Sequence, residues 1–448
     1  MSDRLFGTDG MRGEAGQEPL TPETLERRGR LLGVRLGGLG HSALIGHDGR
    51  ESGETLAAAL LKGLNAVGCD VDVRGLAPTP AVMYLTGAGG YDAGIVVSAS
   101  HNPAADNGVK LLCSAGSKLE DEVEAGLEAA LTAGEDPPDA AVAGKQRRVQ
   151  SLVGDYLAWL RNEAFPELDL RGWKVALDCA NGVYSRLGPR VLQAFGAEVV
   201  PLNDHPDGRN INLECGATHP EVAAAAVLDH HASVGLCVDG DGDRGLMVDA
   251  NGRVLDGDAL LAGLGTHLME RGELPGGTVA ATVMSNLALE RWLARCGARL
   301  HRAPVGDRHV AAAMREQGWA LGGEKSGHVL FGEEHGYRGD GLYTFLRVLQ
   351  ALALEGKGSA DFADGYQDMP QVLLNLPVSE RRPLEGLPRL SAETALLERE
   401  MGPHGRSVVR FSGTELKLRL MIEAETQQMV EDGIARLRAA AEADGILV

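Results

Sequence analysis

In Gly94-Ile-Val-Val-Ser-Ala-Ser-His-Asn-Pro103 an apolar, β-branched run breaks off into two serines, a histidine, an asparagine and a proline within six residues. Ile95 to Val97 has the character of a strand buried on both faces of a parallel sheet. Pro103 cannot continue a helix and pushes Asn102 towards an extended conformation, which predicts a tight loop carrying Ser100 and His101 at the strand's end. Open α/β sheets receive their ligands at that end. Asp106-Asn-Gly108 signals a turn, and the apolar run resumes over Val109 to Cys113 with Lys110 near its start. A hydroxyl, an imidazole and an ammonium are thereby gathered in one place. Alone, Ser-His also fits a plain polar loop.

Working outward, the same succession of strand, helix and polar loop recurs. Phe6-Gly-Thr-Asp-Gly-Met-Arg-Gly13 reads as a loop, and Thr21-Pro22 as a helix start, cap then proline. Ala43 to Gly46, Glu54 to Val67 and Cys69 to Val73 form a βαβ unit, and a short helix opened by Pro78-Thr-Pro80 leads into the strand ending at Ser98. After an Ala/Pro/Gly-rich surface segment over 133–144 and a helix over 152–164, the pattern restarts. The strand Ser233 to Val238 ends in Asp239-Gly-Asp-Gly-Asp-Arg244, and a third round ends in Gly322-Gly-Glu-Lys-Ser-Gly-His328. From Gln371 the chain reads as a smaller α+β unit with a loop at Ser412-Gly-Thr-Glu415 between two strands.

At 448 residues the chain exceeds what one core supports and predicts three or four domains. A net charge of −20 argues against nucleic acid or an acidic membrane surface as partner, and a phosphorylated substrate would need local cations. The six cysteines form no CxxC pair and lie mostly in or beside apolar runs, as reduced thiols of a cytoplasmic protein would. The N-terminal residues contain no apolar signal core, and no stretch approaches a membrane span.

Asp239, Asp241 and Asp243 alternate with glycine, so in an extended stretch their carboxylates would point to one side. Three clustered negative charges repel unless a cation sits among them, and hard oxygen ligands suit magnesium or calcium. An EF-hand is excluded, since Arg244 and Ala250 occupy the positions that need Gly and Glu. A solvated acidic turn is the alternative. Glu324 and Ser326 between glycines suit sugar hydroxyls, although a plain turn fits as well, and the spacing is not that of a Walker loop. Arg410-Phe-Ser-Gly-Thr-Glu415 offers a guanidinium, two hydroxyls and glycine amides suited to phosphate. Lys417 and Arg419 alternate with leucines on the next strand, where a solvated basic edge strand is the other reading.

Phe-Gly-Thr-Asp-Gly-Met-Arg-Gly, Ser-Ala-Ser-His-Asn-Pro, Asp-Gly-Asp-Gly-Asp-Arg, Gly-Glu-x-Ser-Gly-His and Arg-x-Ser-Gly-Thr-Glu together resemble the α-D-phosphohexomutase superfamily, in order and spacing, over the whole chain. Gly208-Arg-Asn-Ile-Asn-Leu-Glu-Cys-Gly-Ala-Thr-His-Pro220, with Gly306-Asp-Arg308, looks like its phosphoglucosamine branch. Lys325 departs from that branch, which usually has Gln there, and Phe411 and Leu416 replace prolines. The resemblance implies an α/β fold: three successive similar α/β domains with mixed sheets, 1–150, 151–252 and 253–366, and a smaller C-terminal α+β domain, 367–448, around a central cleft. It implies that Ser100 carries a phosphoryl group and that one Mg²⁺ is held by that phosphate with Asp239, Asp241 and Asp243. His101 and Lys110 become candidates for proton transfer, and Arg12 and Arg244 for charge compensation. Glu324, Ser326 and His328 would bind the sugar, and Arg410, Ser412, Gly413, Thr414 and Arg419 the remote phosphate. The implied reaction interconverts glucosamine 6- and 1-phosphates through a sugar 1,6-bisphosphate, which also acts as activator, and would supply amino-sugar nucleotide and cell-wall precursor synthesis. It needs a kinase or a bisphosphate donor to prime Ser100 and admits a homodimer; the last domain, tethered near 362–369, would close as a lid. The competitors are a glucose- or mannose-phosphate mutase with the same machinery and a silent sugar-phosphate-binding protein. An aspartate-nucleophile phosphatase would need Thr or Val at position 243, where Asp stands.

Overall fold

The computed structural model describes residues 10–148, 152–412 and 416–448. Its described strands form four sheets that follow one another along the chain. In the first, Ser42–His47, Asp70–Leu76 and Ala93–Val97 run parallel, with helices Gly53–Ala66 and Thr79–Ala88 as crossovers. The 98–105 loop then leads into Asp106–Cys113, which returns antiparallel with Val97 opposite Val109. The second sheet repeats this: Lys174–Asp178 lies parallel to Glu198–Leu202 and Val234–Val238, and the 239–244 loop turns into antiparallel Gly245–Val248. In the third, Thr278–Thr282 is parallel to Arg299–Ala303 and Leu321–Gly323, and the 324–328 loop turns into antiparallel Val329–Phe331. Each of the three polar loops is therefore a short reversal from a parallel strand into an antiparallel one. A hairpin fixes the distance between its two strand ends, so what the loop carries is held from both sides.

Two expectations are corrected. Residues 6–9 lie outside the described residues, but Met11–Glu14 is an edge strand rather than a loop, with Arg12 opposite Gly108. Asp106–Cys113 would otherwise leave a row of backbone donors and acceptors unpaired, and Met11–Glu14 satisfies them. In the fourth sheet Lys417–Ala424 is the middle strand, between Gln371–Pro377 and Gly405–Phe411, all antiparallel. That excludes a basic edge strand. Leu418, Leu420 and Ile422 are buried in the core of this last unit with Leu390 and Leu397 of helix Pro388–Met401 and Val430 and Leu437 of helix Gln427–Ala443. Lys417 and Arg419 alternate with these leucines and so take the opposite face, and Arg410 stands directly across from Arg419.

One apolar cluster runs through the first three units, joining Val82, Leu177, Leu260 and Phe345. Trp159 stacks between Tyr84 at 4.5 Å and His335 at 5.3 Å within it. The fourth unit has a separate core and meets the third through polar contacts. Asn286 Nδ2 donates to Met369 O at 3.1 Å while Met369 N donates to Asn286 Oδ1 at 3.0 Å, and Leu287 N donates to Glu423 Oε2 at 3.1 Å. The junction is thus polar, in contrast to the apolar cluster shared by the first three units. No described helix is long and apolar enough to cross a membrane, and all six cysteines are free thiols.

Candidate active site

Strand Ala93–Val97 is apolar and wholly buried, so its end lies deep in the molecule. Ser100 follows with φ +54, a left-handed conformation that costs a non-glycine residue roughly 1–3 kcal/mol. Its N–H donates to Ser98 Oγ at 2.8 Å, and its own hydroxyl donates to Asp239 Oδ2 at 2.5 Å. His101 Nδ1 lies 3.4 Å from Ser100 Oγ and 3.0 Å from Arg244 Nη1. A guanidinium only donates, so Nδ1 is the unprotonated, accepting nitrogen. Burial, then Arg244 and Arg12, push the imidazole down to about 4, which leaves it neutral at physiological pH. Arg12 also donates to Asn102 Oδ1 at 3.3 Å. Lys110, on the return strand and almost fully buried, donates to Asp241 Oδ2 at 2.8 Å and Asp243 Oδ2 at 2.7 Å.

The three aspartates converge, but not because the stretch is extended. Residues 239–244 form a turn in which Asp239 Oδ1 accepts from the N–H groups of Gly242 and Arg244, each at 3.1 Å. Gly242 takes φ +78 there against the ring of Tyr184, where a Cβ would come within 2.3 Å of a ring carbon. The carboxylate oxygens of Asp239, Asp241 and Asp243 lie within 4.8 Å of one another, all buried. Burial, then the neighbouring Asp243 and Asp241, drive Asp239 far above the usual carboxylate range. Asp241 Oδ1 is buried with no hydrogen-bond partner among the described residues. Buried, converging hard oxygens with an unsatisfied acceptor among them fit a divalent cation such as Mg²⁺, and Lys110 offsets only part of their charge.

From the third sheet, His328 is buried with Nδ1 3.7 Å from Asp243 Oδ1 and Nε2 3.5 Å from Asp307 Oδ2. Lys118 Nζ, from the first unit, donates to both oxygens of Asp307 at 2.8 Å. A cavity of about 290 Å³ lined by Thr79, Lys118, Asp243, Asp307, Arg308 and His328 opens here. Glu324 Oε1 accepts from Gly306 N at 3.1 Å, and Ser326 is exposed. Lys325 Nζ is held by Asp256 Oδ2 at 2.5 Å, by Asp368, and by Asp258 Oδ2 at 3.6 Å. In the fourth unit Arg410 and Arg419 face each other in register, and Arg419 Nη2 donates to Ser412 Oγ at 3.4 Å. Gly413 and Thr414 lie outside the described residues. Ser100, His101, Lys110, the three aspartates, Arg244 and His328 thus form one cluster, whereas no hydrogen bond or ion pair joins Arg410 to it among the described residues.

The chain matches the phosphoglucomutase/phosphomannomutase family in four consecutive regions: α/β/α domain I at 3–137, domain II at 155–252, domain III at 256–369 and the C-terminal domain at 373–440. It belongs to this family. Among mutases of the family, the phosphoglucosamine mutase of Anaeromyxobacter dehalogenans is 44% identical over 97% of this chain and 98% of its own. A phosphoglucomutase/phosphomannomutase family protein of Burkholderia thailandensis, 27% identical, has the same architecture, with a TM-score of 0.83 over 99% of this chain and 98% of that one. The fold extends to the N-acetylphosphoglucosamine mutase of Aspergillus fumigatus, solved with GlcNAc-6P and magnesium, at 19% identity and a TM-score of 0.61 over 98% and 96% of the two chains.

Sequence reasoning passed over several residues of this mutase site. Thr79 was legible only as a helix start, yet its hydroxyl donates to Asp241 Oδ2 at 2.5 Å and its N–H to Asp241 O at 2.9 Å. Arg50 and Asn212 hydrogen-bond the carbonyls of the Ser100 loop from behind. The signal for Arg50 is an Asp48–Arg50 pair directly after strand Ser42–His47; for Asn212 the sequence offers no local signal beyond its asparagine-rich surroundings.

Proposed function

We propose that this chain interconverts glucosamine 6-phosphate and glucosamine 1-phosphate, with Ser100 carrying the phosphoryl group between the two ends of the sugar. The observation that carries the reading is the buried Ser100 hydroxyl, 2.5 Å from Asp239 in a triad of carboxylates, in a chain 44% identical to a phosphoglucosamine mutase over nearly its whole length. Asp239, Asp241 and Asp243, with the phosphate on Ser100, would hold one Mg²⁺. Held there, it would supply positive charge to offset that of the transferring phosphoryl group.

A free hydroxyl of the sugar attacks phosphorus, the bond from phosphorus to Ser100 Oγ breaks, and the hydroxyl proton passes to a base. His101 is the neutral base beside Ser100, and Lys110 and Arg244 supply positive charge around the transferring group. The resulting 1,6-bisphosphate turns over, its other phosphate returns to Ser100, and the released oxygen recovers a proton. Glu324, Ser326 and His328 hold the sugar. Arg410, Ser412 and Arg419, with Gly413 and Thr414, grip the phosphate that is not transferred, and the fourth unit closes over both on its polar junction. A sugar 1,6-bisphosphate released too early returns as activator, and either it or a kinase loads Ser100 at the outset. Three carboxylates around Lys325 screen its ammonium, which supports tolerance of a cationic amino sugar.

Two measurements test this. The kcat/KM should be highest for glucosamine 6-phosphate among glucosamine, glucose and mannose 6-phosphates, and a higher value for either of the others overturns the specificity. Ser100→Ala should lose turnover by several orders of magnitude while folding normally, and substantial residual mutase activity would remove Ser100 from the mechanism.

A further inference from the structure

We infer that Arg50 and Asn212 are positioning residues that hold the backbone of the 98–103 loop so that Ser100 Oγ stays against the acidic triad; this rests on Ser100 being the phosphoryl carrier. A serine at φ +54 persists only where its surroundings impose that conformation. Here carbonyl oxygens of the loop and of its exit converge on one guanidinium. Arg50 Nη2 donates to Ser100 O at 3.0 Å and Asn102 O at 2.9 Å, and Nη1 donates to Asp106 O at 3.0 Å and to Pro103 O. Nε donates to Asp48 Oδ2 at 2.8 Å, in an ion pair whose side chains expose no surface. The paired charge makes Arg50 a template for backbone geometry more than a source of field, and its planar fork gives that template direction.

The second hold comes from the neighbouring unit. Asn212 Nδ2 donates to the same two carbonyls, Ser100 O at 2.8 Å and Asn102 O at 3.1 Å. It also packs on the acidic loop: a Cβ on Gly240 would lie 2.8 Å from Asn212 Nδ2, so a larger residue there would force a side chain to shift. Asn212 is itself pinned at φ +58, its N–H donating to Ala180 O at 2.9 Å. One amide therefore bonds the loop that carries the hydroxyl and lies against the loop that carries the carboxylates. In-line transfer is sensitive to the separation of the two loops, since a displacement near 1 Å costs roughly a hundred-fold in rate.

Asn212→Ala removes the shared amide, and Arg50→Lys keeps the charge but loses the fork. Both proteins are loaded with a sugar 1,6-bisphosphate and the phosphoryl group on Ser100 is located by peptide mass mapping. Asn212→Ala should load, keep KM for glucosamine 6-phosphate within about two-fold, and lose roughly ten- to a hundred-fold in kcat. Mn²⁺ titrated by electron paramagnetic resonance should bind its phosphorylated form at least roughly ten-fold more weakly than wild type, and its dephosphorylated form nearly as well. A merely structural asparagine would weaken both forms alike, and that result, or an unchanged kcat, overturns the proposal. Arg50→Lys should show the same split, more strongly; if it does not fold, Asn212→Ala decides. A wild-type enzyme never phosphorylated on Ser100 would instead overturn the carrier assignment, leaving the two failures distinct.

Discussion

Arg410→Ala should make the protein slightly more stable and a much poorer enzyme, and the structure gives both signs. Arg410 and Arg419 lie opposite each other in register on adjacent antiparallel strands. Arg410 Nε is buried without a hydrogen-bond partner among the described residues, and burial followed by Arg419 lowers its pKa below the usual arginine value. Like charges directly across a strand pair destabilise by about 0.2–1 kcal/mol, which Arg410→Ala would relieve. A phosphate between the guanidiniums turns that repulsion into attraction, at about 1.5–3 kcal/mol for each charge-assisted hydrogen bond. Losing one such bond lowers kcat/KM by roughly ten- to 150-fold, mostly through KM, because the grip exists in the ground state as well. On the proposed mechanism the turning bisphosphate would use the same grip, so it should escape more often and the enzyme should accumulate without its phosphoryl group unless bisphosphate is added. Thermal melts with and without inorganic phosphate, and steady-state kinetics with and without glucosamine 1,6-bisphosphate, read all of this. Wild type should be stabilised by phosphate more than the variant. A variant that melts lower, keeps KM and gains nothing from bisphosphate would refute the phosphate clamp.

Saturation with Mg²⁺ at a hundred times its Kd should stabilise wild type by about 2.7 kcal/mol; chelation should reverse this and abolish turnover, and a melt of Asp241→Asn that still rises with Mg²⁺ as wild type does would count against the triad as the metal site. Burial raises Asp258 from its ordinary value near 3.8 to about 6, so the folded state binds more protons than the unfolded one between those values and stability falls as pH rises through that window. Asp258→Asn should abolish that fall, worth up to about 3 kcal/mol, with the acceptor for Asn286 N–H retained; parallel pH profiles of the melting midpoint for the two proteins would disprove it. Lys325→Gln should leave the ranking of sugar phosphates unchanged but destabilise by about 1–3 kcal/mol, since Asp256, Asp258 and Asp368 lose their shared cation; a changed ranking would show the ammonium acting on the sugar.

The sequence made the hydrophobic strands and their polar ends legible because both are local properties. Ile95 to Val97 into Ser98, and Ser233 to Val238 into Asp239, need no tertiary context to be recognised. The antiparallel return strands were harder. Gly245–Val248 and Val329–Phe331 are four and three residues long, too short for periodicity to register. Helices Gly257–Glu270 and Gly341–Glu355 are largely buried, which leaves each only a narrow polar stripe to mark it. The aspartates illustrate a different failure. Alternation suggested an extended stretch, but the side chain of Asp239 captures two backbone N–H groups and folds the loop into a turn, a competition that short polar residues routinely win. Asn212 and Thr79 were beyond reach for a further reason: each acts on a residue more than a hundred positions away, at a contact that exists only after the units assemble.

A chain carrying −20 that handles a sugar phosphate must solve its electrostatics locally, and the site proposed above does so with opposite signs at its two ends. Surface charge is largely screened beyond about 8 Å at physiological ionic strength, so the global repulsion matters little once the substrate is inside. At the Ser100 end three buried carboxylates crowd together, relieved in part by Lys110 and Arg244. At the other end two guanidiniums face each other across a strand pair. Each arrangement carries like-charge repulsion that a counter-ion would relieve, a cation at one end and an anion at the other. On the proposed reading a phosphosugar with its metal would satisfy both, with the fourth unit closed on the first three. The junction at Asn286, Met369 and Glu423 is polar, so the proposed closure would leave both apolar cores intact. In the closure proposed above, relief of these repulsions by the ligand would favour the closed arrangement, and a sugar lacking its phosphate would not supply it.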